Sequence, residues 1–118
     1  MIKLRRLIKS FTYAFKGLYK VFREEQNLQV QSLAAFIVLV LAITFQISRT
    51  EWLILIFIIT MVILMEVVNS AMERVTDVLK PRIDNYVKEI KDIMAAAVML
   101  ASIAAVIIGA IIFLPYIF

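Results

Sequence analysis

Residues 66–92 read EVVNSAMERVTDVLKPRIDNYVKEIKD, a polar stretch between two long apolar segments. It holds six of the nine acidic residues of the chain. On an α-helix Glu66, Asn69, Glu73 and Asp77 follow one another at three- or four-residue spacing, so at about 100° per residue they project from one face. The spacing therefore predicts a polar stripe along a helix whose other faces are apolar.

The rest of the chain is too apolar for a soluble domain. Of its 118 residues 64% are hydrophobic, and they are concentrated in three runs. Each run approaches the ~20 residues with which a helix crosses about 30 Å of hydrocarbon. We predict an all-α membrane protein that forms a single domain, residues 1–118. Its predicted parts are an interfacial helix at 1–27, transmembrane helices at 28–47, 52–68 and 94–112, and a helix extension and connection at 74–92.

The 13 basic residues are unevenly distributed. Seven precede the first apolar run and five lie between the second and third runs, whereas the first connection has only Arg49. By the positive-inside rule the N-terminus and the 74–92 connection are cytoplasmic and the C-terminus is outside, which predicts a multi-pass protein of the cytoplasmic membrane. Because these basic residues flank membrane spans, we expect no nucleic-acid partner. The chain has no cysteine and no histidine, which excludes thiol catalysis and a His or Cys zinc site.

The N-terminal segment has apolar residues at helical spacing and basic residues on the opposite side. This pattern is typical of a helix that lies in the membrane interface, with its apolar side ~5 to 10 Å into the headgroup boundary. One interpretation is a membrane anchor with no further role. The other uses Arg6, Lys9, Tyr13 and Lys16, which combine charge with an aromatic plane suited to a nucleotide. The Glu24 and Glu25 pair that follows is typical of solvated caps at a helix N-terminus.

Glu66 follows a long apolar run, some 20 Å beyond Trp52 along the helix. It is therefore predicted to lie just inside the cytoplasmic boundary, where an ionisable side chain is costly and usually has a functional partner. A carboxylate that snorkels or stays protonated is the structural alternative. Pro81 predicts the end of this helix, and residues 81–90 are predicted to form a solvated surface connection.

The third run carries small residues every four positions, at Ala97, Ala101, Ala105 and Gly109. Small residues at this spacing let helices approach closely in membranes. Since three spans are too few to enclose a large polar site, a homo-oligomer is expected.

Few familiar catalytic motifs are possible, because the only glycines are Gly17 and Gly109 and no phosphate-binding glycine loop can be built from them. What remains is a set of carboxylates and an amide beside basic residues. Oxygen ligands of this kind suit Mg²⁺, and the neighbouring cations suit a polyphosphate. Phosphoryl transfer needs these parts together with a base that orients the acceptor hydroxyl. A base at the depth of Glu66 would reach the hydroxyl of a lipid more readily than that of a soluble metabolite.

The motif at residues 66–77, E-x-x-N-S-A-x-E-x-x-x-D, resembles that of the prokaryotic diacylglycerol kinase family, small integral-membrane lipid kinases that include the undecaprenol kinases of Gram-positive bacteria. The resemblance extends to Lys91-Asp92, to the AAAV segment at 95–98, and to the N-terminal KGL and EQN segments at 16–18 and 25–27. It covers almost the whole chain.

The resemblance implies a homotrimer with active sites shared between protomers, which uses Mg-ATP to phosphorylate a lipid alcohol. Glu66 matches the general base that deprotonates or orients the lipid hydroxyl, and Glu25 and Glu73 match the Mg²⁺ ligands. The polar residues that match the surroundings of the nucleotide are Asn69, Asp77, Lys91 and Asp92. Matches to further nucleotide contacts are Arg6 and Tyr13 in the N-terminal helix, and Arg82 and Asp84 in the connection that covers the nucleotide.

The chain departs from the family pattern at two places. Gram-positive members often carry E-R-N-F-R-[IF]-H after the interfacial helix, whereas residues 25–31 here read EQNLQVQ and lack both arginines and the histidine. The common H-P-L-A-K segment is replaced by DNYVK at 84–88. The turn at 47–52 and the GAIIFLP segment at 109–115 are more similar to the undecaprenol kinase branch than to the proteobacterial enzymes.

We therefore predict undecaprenol as the acceptor, with diacylglycerol as the alternative. Two interpretations from other classes are a small transporter or proton channel that uses Glu66 as a relay, and a non-catalytic membrane subunit. The first requires polar residues through the bilayer centre, where the second span offers only Thr60. The second leaves the polar stripe unexplained.

Overall fold

The described part of the chain forms four helices, which confirms the predicted all-α membrane architecture. The structure, a computed structural model, describes residues 1–79 and 84–118, without the side chain of Asp84. The helices are α1 Leu4–Glu24, α2 Gln26–Phe45, α3 Arg49–Leu79 and α4 Asp84–Ile117. Among the described residues three helices are long and apolar enough to cross a membrane: Gln26–Phe45, Arg49–Leu79 and Asn85–Ile117.

The break between α1 and α2 is a single residue. Glu25 has an extended backbone conformation, with φ −106° and ψ 112°, while its N–H still donates to the Val21 carbonyl at 2.8 Å. The Gln29 amide donates to the carbonyls of Phe22 and Arg23 at 2.9 and 3.2 Å. These carbonyls belong to the last turn of α1, where carbonyl groups lack hydrogen-bond donors within the helix. Gln29 thus caps α1 and holds the start of α2 against it.

The turn between α2 and α3 is closed by two capping motifs. A Schellman pattern ends α2, since the Ile47 N–H donates to the Ala42 carbonyl at 3.3 Å and the left-handed Gln46, with φ 51°, donates to Ile43 at 3.2 Å. A capping box starts α3, because Glu51 Oε1 accepts from the Ser48 N–H at 3.0 Å while the Glu51 N–H donates to Ser48 Oγ at 3.2 Å. This box begins α3 at Arg49, before the predicted start at Trp52.

The end of α4 returns to this turn. Tyr116 donates its hydroxyl hydrogen bond to Glu51 Oε1, and its ring stacks on Phe45 with centroids 5.9 Å apart. The buried cluster of Ala42, Ile47, Leu55, Ile58, Ile112 and Phe113 lies beside these contacts. The main apolar core therefore sits at this end of the bundle, and most other apolar side chains of the spans are exposed, as lipid contact requires.

Helix continues through polar sequence at the inner ends of α3 and α4, as predicted for α3 but not for the connection at 81–90. α3 is one helix of 31 residues, about 46 Å long, and it extends well beyond the ~30 Å hydrocarbon layer. α4 begins at Asp84, so most of the connection predicted at 81–90 is helical. Val87 is fully buried and Ile90 is partly buried. Val87, Ile90 and Met94 follow one another at helical spacing. This spacing was the sequence signal for the earlier start of α4.

We expect Tyr116→Phe to lower the melting temperature, because it removes the hydrogen bond that joins the end of α4 to the α2–α3 turn. Any activity that depends on Glu66 should stay unchanged, since the contact lies at the start of α3, far from Glu66. Thermal unfolding in detergent micelles tests this, with the exposed Tyr19→Phe in α1 as the matched control. An unchanged melting temperature for Tyr116→Phe would contradict the role of this contact.

Candidate active site

The polar stripe on α3 runs from a buried end to an exposed end. The Glu66 side chain is 1% exposed and Asn69 is 9% exposed. Glu73, further along the helix, is half-buried and Asp77 is exposed. At about 1.5 Å per residue these last two lie about 10 and 16 Å beyond Glu66 along the axis. The stripe therefore connects the interior of the helical bundle with its surface.

Polar side chains of α2 surround the buried end. Asn27 and Gln31 lie beside the Glu66 carboxyl, and the carboxylates of Glu25 and Glu73 are close enough to interact with it electrostatically. Residues from the α1–α2 junction and from α3 thus converge on one point. Sequence reasoning identified the three glutamates but not Asn27 or Gln31, because their contact with Glu66 depends on how α2 packs on α3.

Three buried side-chain atoms among the described residues have no hydrogen-bond partner: Glu66 Oε2, Ser70 Oγ and Gln31 Oε1. Ser70 follows Glu66 by one helical turn, so the two side chains are neighbours on α3. Buried polar atoms are paired in the great majority of cases. Their concentration beside one carboxylate indicates a place where a polar group is to be bound.

Glu73 is oriented from its own helix. The Asn69 amide donates to Glu73 Oε1 at 3.4 Å, a contact that fits their four-residue spacing. The amide of the stripe therefore helps to direct the carboxylate that lies one turn further towards the surface.

Arg74 ties α3 to the α1–α2 junction. Its guanidinium is 2.6 Å from Glu24 Oε2 and 3.5 Å from Glu25 Oε1, and it also donates to the Ser70 carbonyl at 3.3 Å. Glu25 stands at the N-cap position of α2, as the cap interpretation expects, but its side chain makes no capping hydrogen bond. The pairing of Arg74 with these two glutamates had one sequence signal, a basic residue directly after Glu73.

The surface end of the stripe meets α4. Lys91 Nζ is 2.7 Å from Asp77 Oδ1, so two residues predicted to surround a nucleotide are in direct contact. Asp92 is exposed on the next position of α4. α3 and α4 therefore present an acidic and basic pair at the mouth of the site.

Arg6 and Tyr13 are not brought to this site within one chain. Both are exposed on α1, where Lys16 Nζ lies 6.0 Å from the centroid of the Tyr13 ring. At about 1.5 Å per residue, Arg6 lies about 27 Å and Tyr13 about 16 Å from Glu24 along the helix. Arg82 lies outside the described residues, as does the side chain of Asp84.

Comparison with known proteins agrees with this arrangement of long apolar helices and a carboxylate-rich site. The model of the prokaryotic diacylglycerol kinase family matches residues 12–113. The chain belongs to this family. The predicted resemblance is confirmed, and the protein is a multi-pass membrane lipid kinase of the prokaryotic diacylglycerol kinase family, a kind of enzyme that uses ATP.

Three relatives cover most of the chain. The undecaprenol kinase of Bacillus subtilis is 34% identical over 113 residues, which are 96% of this chain and 92% of that protein. The diacylglycerol kinase of Synechocystis is 31% identical over 110 residues, 92% of this chain and 63% of that protein. The diacylglycerol kinase of Escherichia coli K12 is 30% identical over 102 residues, 86% of this chain and 84% of that protein. Family membership favours the kinase interpretation over the transporter and the non-catalytic subunit.

The carboxylates near Glu66 are suited to a metal ion that binds together with a nucleotide. In the part of the chain that the structure describes, no group of three or more His, Cys, Asp or Glu side chains is arranged to hold a metal ion. Mg²⁺ is commonly held by one or two carboxylates together with substrate phosphates. The carboxylates of Glu25 and Glu73, both near Glu66, match that smaller donor set.

We expect Arg74→Ala to loosen the junction while changing the stability of the whole fold little, because ion pairs between exposed side chains contribute about 0 to 1 kcal/mol. Since the chain has no cysteine, a spin label on a single Lys20→Cys site reports the mobility of α1. The label should become more mobile in Arg74→Ala. The matched control is Arg23→Ala, an exposed arginine near the same junction, and equal mobility in both variants would contradict the role of Arg74.

Proposed function

We propose that the protein transfers the γ-phosphoryl group of Mg-ATP to the hydroxyl of undecaprenol and forms undecaprenyl phosphate. The observation that carries this proposal is the buried Glu66 carboxyl, whose Oε2 atom lacks a hydrogen-bond partner beside the exposed, charged end of the stripe. An unpaired carboxylate oxygen at this depth can accept the proton of a lipid hydroxyl. The 34% identity to an enzyme named undecaprenol kinase favours that acceptor, with diacylglycerol as the alternative.

Glu66 is the proposed general base. It takes the proton of the hydroxyl as the alcohol oxygen attacks the γ-phosphorus, and a positioned base contributes about 10² to 10⁴ in rate. Glu25 and Glu73 are the proposed ligands of Mg²⁺, which when bound neutralises charge that develops on the phosphates. Arg74 holds Glu25 towards α3, and Asn69 directs Glu73.

The proposed nucleotide site lies beyond Glu73, towards the surface. Asn69, Asp77, Lys91 and Asp92 are its proposed polar contacts, with the Lys91 ammonium placed to meet phosphate charge. Arg82 and Asp84 are proposed to cover the nucleotide, although their side chains lie outside the described residues.

A homotrimer with shared sites is proposed as the working form. Within one chain Arg6 and Tyr13 lie about 27 and 16 Å from Glu24 along α1. A neighbouring copy would bring its own α1 to the site. The proposed topology has α1 and residues 74–92 on the cytoplasmic side and the C-terminus outside, because basic residues concentrate in the first two. All parts belong to one domain, residues 1–118.

We expect Glu66→Gln to lower kcat by about 10² to 10⁴, because the amide cannot accept the proton. Glu73→Gln should lower activity and raise the Mg²⁺ concentration that gives half-maximal rate, since one metal ligand loses its charge. The measurement is transfer of labelled phosphate from ATP to lipid in bilayer nanodiscs. The exposed Glu89→Gln in α4 is the matched control and should keep its activity. Full activity of Glu66→Gln would rule out the assigned base.

An acceptor competition separates the two lipids. With equal mole fractions of undecaprenol and diacylglycerol in the nanodiscs, we expect undecaprenyl phosphate to be the main labelled product. Phosphatidic acid as the main product would instead establish the diacylglycerol alternative. Labelling of neither lipid with Mg²⁺ present would refute the proposed reaction.

A further inference from the structure

The unpartnered atoms around Glu66 are arranged as a site for one small polar group. Glu66 Oε2, Ser70 Oγ and Gln31 Oε1 are all buried without a hydrogen-bond partner, and Glu66 and Ser70 are 1% and 0% exposed. In a membrane protein such atoms are especially costly, because lipid offers no hydrogen bonds. A ligand that bonds with these atoms would remove that cost.

The chemistry of the three atoms describes the ligand. A carboxylate oxygen and an amide oxygen can only accept hydrogen bonds, whereas the serine hydroxyl can also donate one. A hydroxyl group that donates to Glu66 Oε2 and accepts from Ser70 satisfies two of them. The Gln31 amide lies beside the same carboxyl, where its nitrogen donates towards the charged carboxylate while its oxygen has no partner.

We propose that Ser70 and Gln31 complete the acceptor site of the kinase, with Ser70 binding the oxygen of the alcohol and Gln31 holding the proton that Glu66 removes from it. This assignment rests on the proposed role of Glu66 as the base. It adds one substrate-binding residue and one positioning residue, which acts on the substrate through Glu66.

At each stage of phosphoryl transfer a named atom binds the hydroxyl proton of the alcohol. The O–H bond of the alcohol breaks as its oxygen bonds to the γ-phosphorus, and the bond from that phosphorus to the bridging oxygen of ADP breaks. The proton forms an O–H bond with Glu66 Oε2. The Gln31 amide then turns so that this new O–H donates to its oxygen, and the neutral carboxyl is stabilised until the lipid phosphate leaves and the proton is lost. An amide suits this role because its nitrogen donates to the charged carboxylate and its oxygen accepts from the neutral carboxyl.

An apolar groove for the hydrocarbon chain of the alcohol begins at the same glutamine. Gln31 lies at one end of a groove of about 390 Å³ between α2, α3 and α4. Beyond Gln31 the walls are formed by apolar residues such as Ala34, Val62, Ala105 and Gly109. The hydrocarbon chain of the bound alcohol can follow this groove into the membrane while its hydroxyl stays at Glu66.

The test compares Gln31→Leu and Ser70→Ala with the wild-type enzyme. Each should lower kcat/KM for the lipid by about tenfold or more, as loss of a group that acts in the transition state does, while KM for ATP changes by less than about twofold. The melting temperature of Ser70→Ala should stay equal or rise, because the change removes a buried hydroxyl that has no partner in the resting protein. Gln31→His, which keeps a hydrogen-bond acceptor, should retain more activity than Gln31→Leu.

The matched controls are Gln26→Leu, at an exposed glutamine of α2, and Thr60→Val, at an exposed hydroxyl of α3, which should leave all three quantities unchanged. Unchanged lipid kinetics in Gln31→Leu and Ser70→Ala would overturn the inference, as would a fall in melting temperature with parallel losses for lipid and ATP. The second result would identify a structural role, such as holding a buried water. Wild-type enzyme that labels neither lipid would refute the proposed function itself, so the two failures are distinguishable.

Discussion

A carboxylate buried at the end of a long apolar span is the constraint on which this structure depends. Glu66 is 1% exposed, and a charge at such depth needs polar neighbours. α2 supplies Asn27 and Gln31, and α3 supplies Ser70 and Asn69 within one turn. α3 also continues past Glu66 and carries Glu73 and Asp77 to the surface, where the proposed phosphate site lies. The length of this helix and the polar start of α2 both follow from the position of one side chain.

The junction between α1 and α2 determines what faces the stripe. Because the break is confined to Glu25, the chain changes direction without a loop and the carboxylates stay close to α3. Gln29 caps α1, and Arg74 reaches back from α3 to the glutamate pair. Both contacts involve exposed groups, so their contribution to stability is small. Their effect is geometric, since they bring Glu25 to the same place as Glu66 and Glu73.

The two ends of the bundle have opposite character. At one end the capping motifs, the Tyr116 contact and the apolar cluster satisfy their polar groups and pack closely. At the other end Glu66, Ser70 and Gln31 retain unpaired buried atoms. A closed end gives α3 and α4 a defined register, which the open end needs because these three buried atoms have no partner to fix their positions. Stability and binding are thus located at different ends of the same helices.

The sequence by itself determined the features that depend on local periodicity and composition. Helical spacing placed the polar residues of α3 on one face, apolar runs predicted three spans, and the motif from Glu66 to Asp77 identified the family. The sequence alone did not predict the contacts of Arg74 or Gln31, nor the start of α4 at Asp84. Arg74 meets a carboxylate 50 positions away, and no local pattern encodes such a pairing. The early turn of α4 depends on burial of Val87, one of a few apolar residues in polar sequence, and its contribution appears only when the helices pack.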